Sequence, residues 1–248
     1  MRKLNFDGPI NGLSLGNVSV NFLRELKKKD LEINMFPVGD QGQFEAYDKI
    51  SEEFKKWVET IASNRLKNLC AETPCLKVWH INGSEKMLPN QHLYTFYEVD
   101  SPTQEELNIV KLQKHVFFSS SEAAEVFKLN GCENVSHVPL GFDQDFYKTD
   151  KKYLEKGVIH FGLIGKFERR KNTQAIIELW MNKFGNNPKY QLSCLVTNPF
   201  FNEEQMNQAI NASLKGTAVS NINFLPRLTT NSAIVPPTKT GPLPKIPY

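Results

Sequence analysis

Apolar residues fall in short runs along the 248-residue chain, and the runs switch between a strand period and a helix period. Residues 3–10 (KLNFDGPI) read as a first strand ending in a turn, and 11–17 (NGLSLGN) as a glycine-containing loop. Apolar positions 18, 20, 22, 23 and 26 predict an amphipathic helix over 18–30. Residues 31–39 alternate like a strand and stop at Pro37 and Gly39. A Ser cap followed by an acidic first turn predicts a helix over 51–70. Short apolar strands follow at 76–82, 92–100, 115–121 and 135–141, with helices at 103–113 and 121–130.

Residues 142–157 form a polar linker, after which the rhythm restarts. VIHFGLIG is a strand, NTQAIIELWMNKF a helix, YQLSCLVTN a strand, NEEQMNQAINASL a helix and NINFLP a last short strand. Strands alternating with helices imply βαβ units and a mainly parallel sheet. The expected organisation is an N-terminal α/β domain over 1–150, a partial second domain over 151–230 and a proline-rich extended tail over 231–248. The tail carries Pro236, Pro237, Pro242, Pro244 and Pro247 and no periodicity. About three strands is few for a doubly wound domain, so the second half is expected to be either covered by another chain in an oligomer or much less stable than the first.

Composition narrows the function classes. Charged residues are 23% and the hydrophobic set is 40%, enough for a packed core. A net charge of +3 gives no support for a polyanion-binding surface, so nucleic acid is not an expected partner. The start, MRKLNFDGPI, has no apolar signal region, and no run reaches the ~20 apolar residues of a membrane span. Cys70, Cys75, Cys132 and Cys194 have no CxxC spacing and no nearby His pair, so they read as reduced thiols of a cytoplasmic protein, with no metal site.

In an open α/β sheet, ligands bind beyond the carboxyl ends of the strands. Four loops there stand out. NGLSLGN places Gly12 and Gly16 where backbone can approach a ligand before a helix N-terminus; the plainer reading is an ordinary glycine-rich turn. WHING puts His80 and Asn82 at a strand end, although a lone His is more often structural or solvated. YEVDSP brings Glu98 and Asp100 with shared alternation parity, or else a solvated loop start. GKFERRKN stacks Lys166, Arg169, Arg170 and Lys171 at the start of a helix, where cations are locally unfavourable. Either they are solvated, or a phosphate supplies the missing negative charge.

The stretch 115–147 resembles the signature of family-4-type (group 1) glycosyltransferases. Its elements are a strand ending at Ser120 or Ser121, a helix, Gly131, the turn Val138-Pro139-Leu140-Gly141-Phe142-Asp143, and Phe146. GLIGKFERRKN then resembles the family's next element, with Gly165, Lys166, Lys171 and Asn172 in its positions and Lys166 where Arg is more usual. YTFYEVDSP is similar to the strand end that precedes the Ser strand in part of the family.

The resemblance implies a GT-B-like α/β fold, a Rossmann-like N-terminal domain facing an incomplete Rossmann-like C-terminal one. It implies a nucleotide-diphosphate sugar donor, a carbohydrate or other hydroxyl acceptor, transfer with retention, and neither metal nor cofactor. Gly16, Gly165, Lys166, Lys171 and Asn172 would bind the donor, with Lys166 and Lys171 stabilising the departing diphosphate. His80, Asn82, Glu98 and Asp100 would lie on the acceptor side. The leaving phosphate would take the acceptor proton, so neither His80 nor Glu98 is assigned as a general base. The family's acidic donor element, expected some tens of residues after 230, is absent here, which implies a truncated enzyme or remnant of doubtful activity. A non-catalytic sugar- or nucleotide-binding module on the same fold is the second reading, and another Rossmann-like nucleotide enzyme a more distant one.

Overall fold

The computed structural model describes residues 2–39, 42–45, 47, 49–67, 69–141, 157–198 and 200–225, which fall in two compact units, 2–141 and 157–225. The expected tail and most of the expected linker lie outside the described residues.

The first unit runs β1 (Arg2–Pro9), α1 (Ser14–Lys27), β2 (Leu31–Val38), α2 (Glu52–Ser63), β3 (Cys75–Val78), β4 (Gln91–Thr95), α3 (Gln104–Leu112), β5 (His115–Phe118), α4 (Ser121–Leu129) and β6 (Val135–His137). Its six strands are all parallel, in the order β2-β1-β3-β4-β5-β6. Parallel strands need crossover connections, and the helices supply them. Phe6 of β1 and Met35 of β2 are fully buried with Val20 and Leu23 of α1 in one core. A second core joins Leu93, Val116 and Phe118 to Phe127 of α4; the Phe118 and Phe127 rings stack at 4.8 Å. Each such buried phenyl contributes about 1.5–3 kcal/mol.

Local chemistry sets the helix ends. Ser51, Thr103 and Ser120 accept the backbone N–H of Phe54, Glu106 and Ala123 and so begin α2, α3 and α4. At α3 the cap is reciprocal, because the Glu106 carboxylate accepts the Thr103 N–H at 2.9 Å. Thr103→Ala is expected to cost about 1 kcal/mol in chemical denaturation, with α3 amides exchanging faster than those of α2.

The second unit runs β7 (Ile159–Lys166), a 3-10 turn (Arg169–Lys171), α5 (Thr173–Phe184), β8 (Tyr190–Thr197), α6 (Glu203–Leu214) and β9 (Ile222–Phe224). Its strands are parallel in the order β7-β8-β9, and α5 packs on α6. Leu192, Cys194 and Val196 alternate into a core with Ile177, Trp180 and Ile222.

Several sequence expectations shift: the helix expected over 51–70 ends at Ser63, and the strands expected over 115–121 and 135–141 span His115–Phe118 and Val135–His137. Helix α1 starts at Ser14, not at 18, so Gly16 lies in its first turn. The strand expected over 92–100 ends at Thr95, where its partner β5 also ends at Phe118. The strand expected over 76–82 spans Cys75–Val78, because β4 pairs it only that far. Among the described residues, no helix is long and apolar enough to cross a membrane.

Candidate functional site

Each of the four candidate loops follows the carboxyl end of a parallel strand: β1, β3, β4 and β7. In the first loop, the Asn11 side chain accepts the Leu13 N–H at 2.9 Å, and the Tyr47 hydroxyl donates to the Asn11 carbonyl at 2.7 Å. Gly16 is buried beneath this turn; a Cβ there would collide with the Asn11 carbonyl and amide oxygens. Its bareness therefore accommodates the chain's own loop. Leu13 offers no side-chain cap to α1, whose first N–H groups lack a side-chain acceptor at the cap position.

His80 and Asn82 follow β3, and both are exposed. The His80 ring meets Trp79 edge-on at 5.5 Å, and its carbonyl accepts the Ser84 hydroxyl at 2.5 Å. Asn82 donates to Glu106 at 3.4 Å. Glu98 and Asp100 are also exposed, beyond the end of β4, so strand parity does not decide their direction.

A residue the sequence did not single out ties these loops together. Glu106 accepts from Asn82, from the Thr103 backbone and, at 3.3 Å, from the Tyr97 hydroxyl. Burial, followed by the Glu106 charge, pushes the Tyr97 hydroxyl up to about 12, so it stays a donor. The loops carrying His80 and Glu98 are thereby pinned to one carboxylate. The contacts span 24 and 9 residues of sequence, so only the S/T-x-x-E cap signature was available to point at Glu106.

The fourth loop is the most constrained. Gly165 has φ +152, which side chains rarely adopt, and no atom lies where its Cβ would be. The Lys166 carbonyl accepts the Thr173 hydroxyl at 3.0 Å, and the Phe167 carbonyl accepts the Asn198 amide at 3.1 Å. Phe167 is buried, anchoring the turn from below. Asn172 stands in the left-handed region at φ 53 and leads into α5 without a side-chain cap bond. This geometry holds the N–H groups of the first α5 turn beside a run of cations.

Lys166, Arg169 and Lys171 are exposed and have no acidic partner among the described residues. Arg170 differs: it bonds Glu168 at 3.2 Å. Of the family-like turn after β6, Val138, Pro139, Leu140 and Gly141 are described and exposed, while Phe142, Asp143 and Phe146 lie outside the described residues. The Tyr94 hydroxyl donates to the Val138 carbonyl at 3.0 Å and fixes the start of that turn.

Asp7, Lys77 and Cys75 stand inside the sheet, apart from these loops. Asp7 and Lys77 pair at 3.1 Å on neighbouring strands, and Cys75 lies two positions before Lys77 on the same strand, opposite Asn5. Burial, then the Asp7 charge, pushes the Cys75 thiol up to about 12, which removes it as a nucleophile at neutral pH. No cluster of three or more His, Cys, Asp or Glu side chains suited to a metal ion occurs among the described residues.

No family model matches the sequence, and no curated protein matches it. Solved structures do resemble the fold. Anabaena HepE in complex with UDP-glucose superposes with a TM-score of 0.55 at 14% identity, over 91% of this chain and 69% of that one. HepE in complex with UDP and glucose gives a TM-score of 0.57 with the same identity and coverage. Staphylococcus aureus MnaA with UDP gives 0.50 at 15% identity, over 92% of this chain and 69% of that one. At such identities the likeness is one of fold: the chain is α/β and GT-B-like, a Rossmann-like first unit followed by a shorter Rossmann-like second unit.

Proposed function

We propose that the chain is a nucleotide-sugar glycosyltransferase of the family-4 type, or a portion of one. The observation that carries this reading is the turn after β7. There Lys166, Arg169 and Lys171, all without acidic partners among the described residues, stand at the uncapped start of α5, behind a glycine that leaves the backbone open. Cations at a helix N-terminus are tolerable when an anion sits among them, and a diphosphate is such an anion. HepE, whose fold this chain shares, is complexed with UDP-glucose.

In this reading Gly165, Lys166, Lys171 and Asn172 hold the nucleoside diphosphate of the donor. Fixed cations and N–H groups stabilise the charge that develops as the sugar–phosphate bond breaks. Gly16 supports the α1 start by letting the Asn11 loop lie against it. His80, Asn82, Glu98 and Asp100 face the acceptor, a carbohydrate or other hydroxyl compound. Transfer proceeds with retention and without a metal, and the cytoplasm is the setting, in keeping with the free thiols of Cys70, Cys75, Cys132 and Cys194.

The second reading is a sugar- or nucleotide-binding module that has the turn but no turnover. It rests on the same turn, since Lys166, Lys171 and the N–H groups at the start of α5 would hold a diphosphate whether or not a sugar is transferred. Calorimetric titration with UDP, GDP, ADP and their sugar conjugates, paired with product analysis, separates the two. Saturable diphosphate binding with sugar transfer that persists in EDTA is the expected result. Binding without transfer selects the module, and absence of binding across the panel removes both readings.

A further inference from the structure

The loop after β8 carries an inference that rests on the diphosphate reading of the turn after β7 and extends it to the rest of the ligand. β8 is the middle strand of the second sheet, and its register sets Thr197 beside Lys166. The loop beyond its carboxyl end therefore stands next to the cation turn, at the end of the sheet where α/β folds receive ligands. Further strands can add to this sheet only at its β7 and β9 edges, so they would not lie across the end of β8.

One carboxamide joins the two loops. The Asn198 side chain donates to the Phe167 carbonyl at 3.1 Å, and its oxygen accepts the Phe200 N–H at 3.0 Å. The Phe201 N–H donates to the Asn198 carbonyl at 3.1 Å, and Asn202 then caps α6 by accepting the Gln205 N–H at 2.8 Å. The backbone around Phe200 is thus fixed on both sides. Its ring is nevertheless 87% exposed, the most exposed large apolar side chain among the described residues. Phe167, across the Asn198 amide, is buried. A scattered exposed aromatic is ordinary. Phe200 differs because it is tethered to a turn whose Lys166, Arg169 and Lys171 have no acidic partner among the described residues.

We propose that Phe200 is a stacking platform for the base of the nucleoside diphosphate whose phosphates meet Lys166 and Lys171. The two chemistries side by side name this ligand class. A bare diphosphate would use only the cations and the N–H groups at the start of α5. A nucleoside diphosphate adds a planar π-face one ribose away from its phosphates, and an aromatic ring receives such a face favourably. Stacking also sets what Phe200 does not do. Its side chain has no donor or acceptor, so it raises affinity for a nucleotide without choosing among bases.

The test uses the whole chain and compares UDP with inorganic pyrophosphate by calorimetry. Phe200→Ala is expected to weaken UDP about tenfold and to leave pyrophosphate within about twofold of wild type, with unchanged circular dichroism. ADP should lose affinity as UDP does. Lys171→Ala, by contrast, should weaken UDP and pyrophosphate alike. Phe200→Trp should retain the UDP affinity, and the emission it adds to that of wild type should be quenched by UDP and not by pyrophosphate. Pyrophosphate and UDP binding that both survive Phe200→Ala would overturn the stacking role and leave the diphosphate reading of the turn in place. Equal weakening of both ligands by Phe200→Ala would also overturn it, because Phe200 would then act through the shape of the turn. Wild type that binds neither ligand overturns both the stacking role and the diphosphate reading.

Discussion

Lys77→Met is expected to destabilise the first unit by about 3 kcal/mol at neutral pH, and most of that loss is expected to vanish on acidification. The Lys77 and Asp7 side chains keep only 10% and 20% of their surface and bond at 3.1 Å on register partners of β3 and β1. Burial holds the Asp7 carboxyl above its ordinary value, and Lys77 offsets part of that rise. Removing the cation leaves a buried carboxylate alone, a change that costs about 3–5 kcal/mol; the residual exposure of Asp7 argues for the lower end. The sign follows from linkage. With its folded-state pKa raised, Asp7 opposes folding fully above that value and less as pH falls through it. Lys77→Met raises the value further, so the difference from wild type shrinks towards pH 4 as Asp7 takes a proton. Urea unfolding followed at β1 and β3 amides, at neutral and acid pH, measures this. A difference that stays constant with pH would mean that lost packing, not the orphaned charge, is responsible. Lys77→Met combined with Asp7→Leu should recover much of the loss, since an apolar pair replaces the ions.

The Asp7–Lys77 pair also shows where the sequence falls silent. Strand identity was legible, because parallel strands covered by helices read as short apolar runs such as HVFF and CLKV. Element ends were less so. The apolar alternation of HLYTFYEVD continues past Thr95, but a strand lasts only as long as its neighbour, and β5 ends at Phe118. Gly12 and Gly16 suggested a loop, whereas Gly16 belongs to the first helical turn, held there by the shape of Asn11. Contacts between distant residues left the faintest trace. Lys77 stands 70 positions from Asp7, and its one signal is a charge inside an otherwise apolar run opposite the polar odd positions Lys3, Asn5 and Asp7 of β1. Glu106 advertised itself only as a helix cap, although it also holds Asn82 and Tyr97. The turn after β7 stood out because its residues are local, a glycine, four cations and an asparagine within eight residues, whereas its 3-10 turn and left-handed Asn172 had no sequence signal.

Lys171→Ala is expected to weaken binding of UDP by about 1.5–3 kcal/mol, the range for charge-assisted hydrogen bonds, which is roughly tenfold to a hundredfold in Kd. Lys171 ends the 3-10 turn just before Asn172 and α5, is exposed, and has no acidic partner among the described residues. Among the described residues no carboxylate competes for its charge, so a bound phosphate gains the full interaction. Arg170 is the internal comparison. It lies one residue away but already bonds Glu168 at 3.2 Å, and a phosphate would have to displace that carboxylate. Arg170→Ala should therefore weaken UDP less than Lys171→Ala does, and Lys166→Ala should resemble Lys171→Ala. Loss of an exposed, unpaired lysine changes folding stability by no more than about 0.5 kcal/mol, so the binding loss is separable from any effect on folding. Titration in increasing salt adds a second readout: the gap between wild type and Lys171→Ala should narrow as the phosphate charge is screened. Equal UDP affinity in wild type and Lys171→Ala at low salt would show that these cations are merely solvated and that the turn holds no diphosphate.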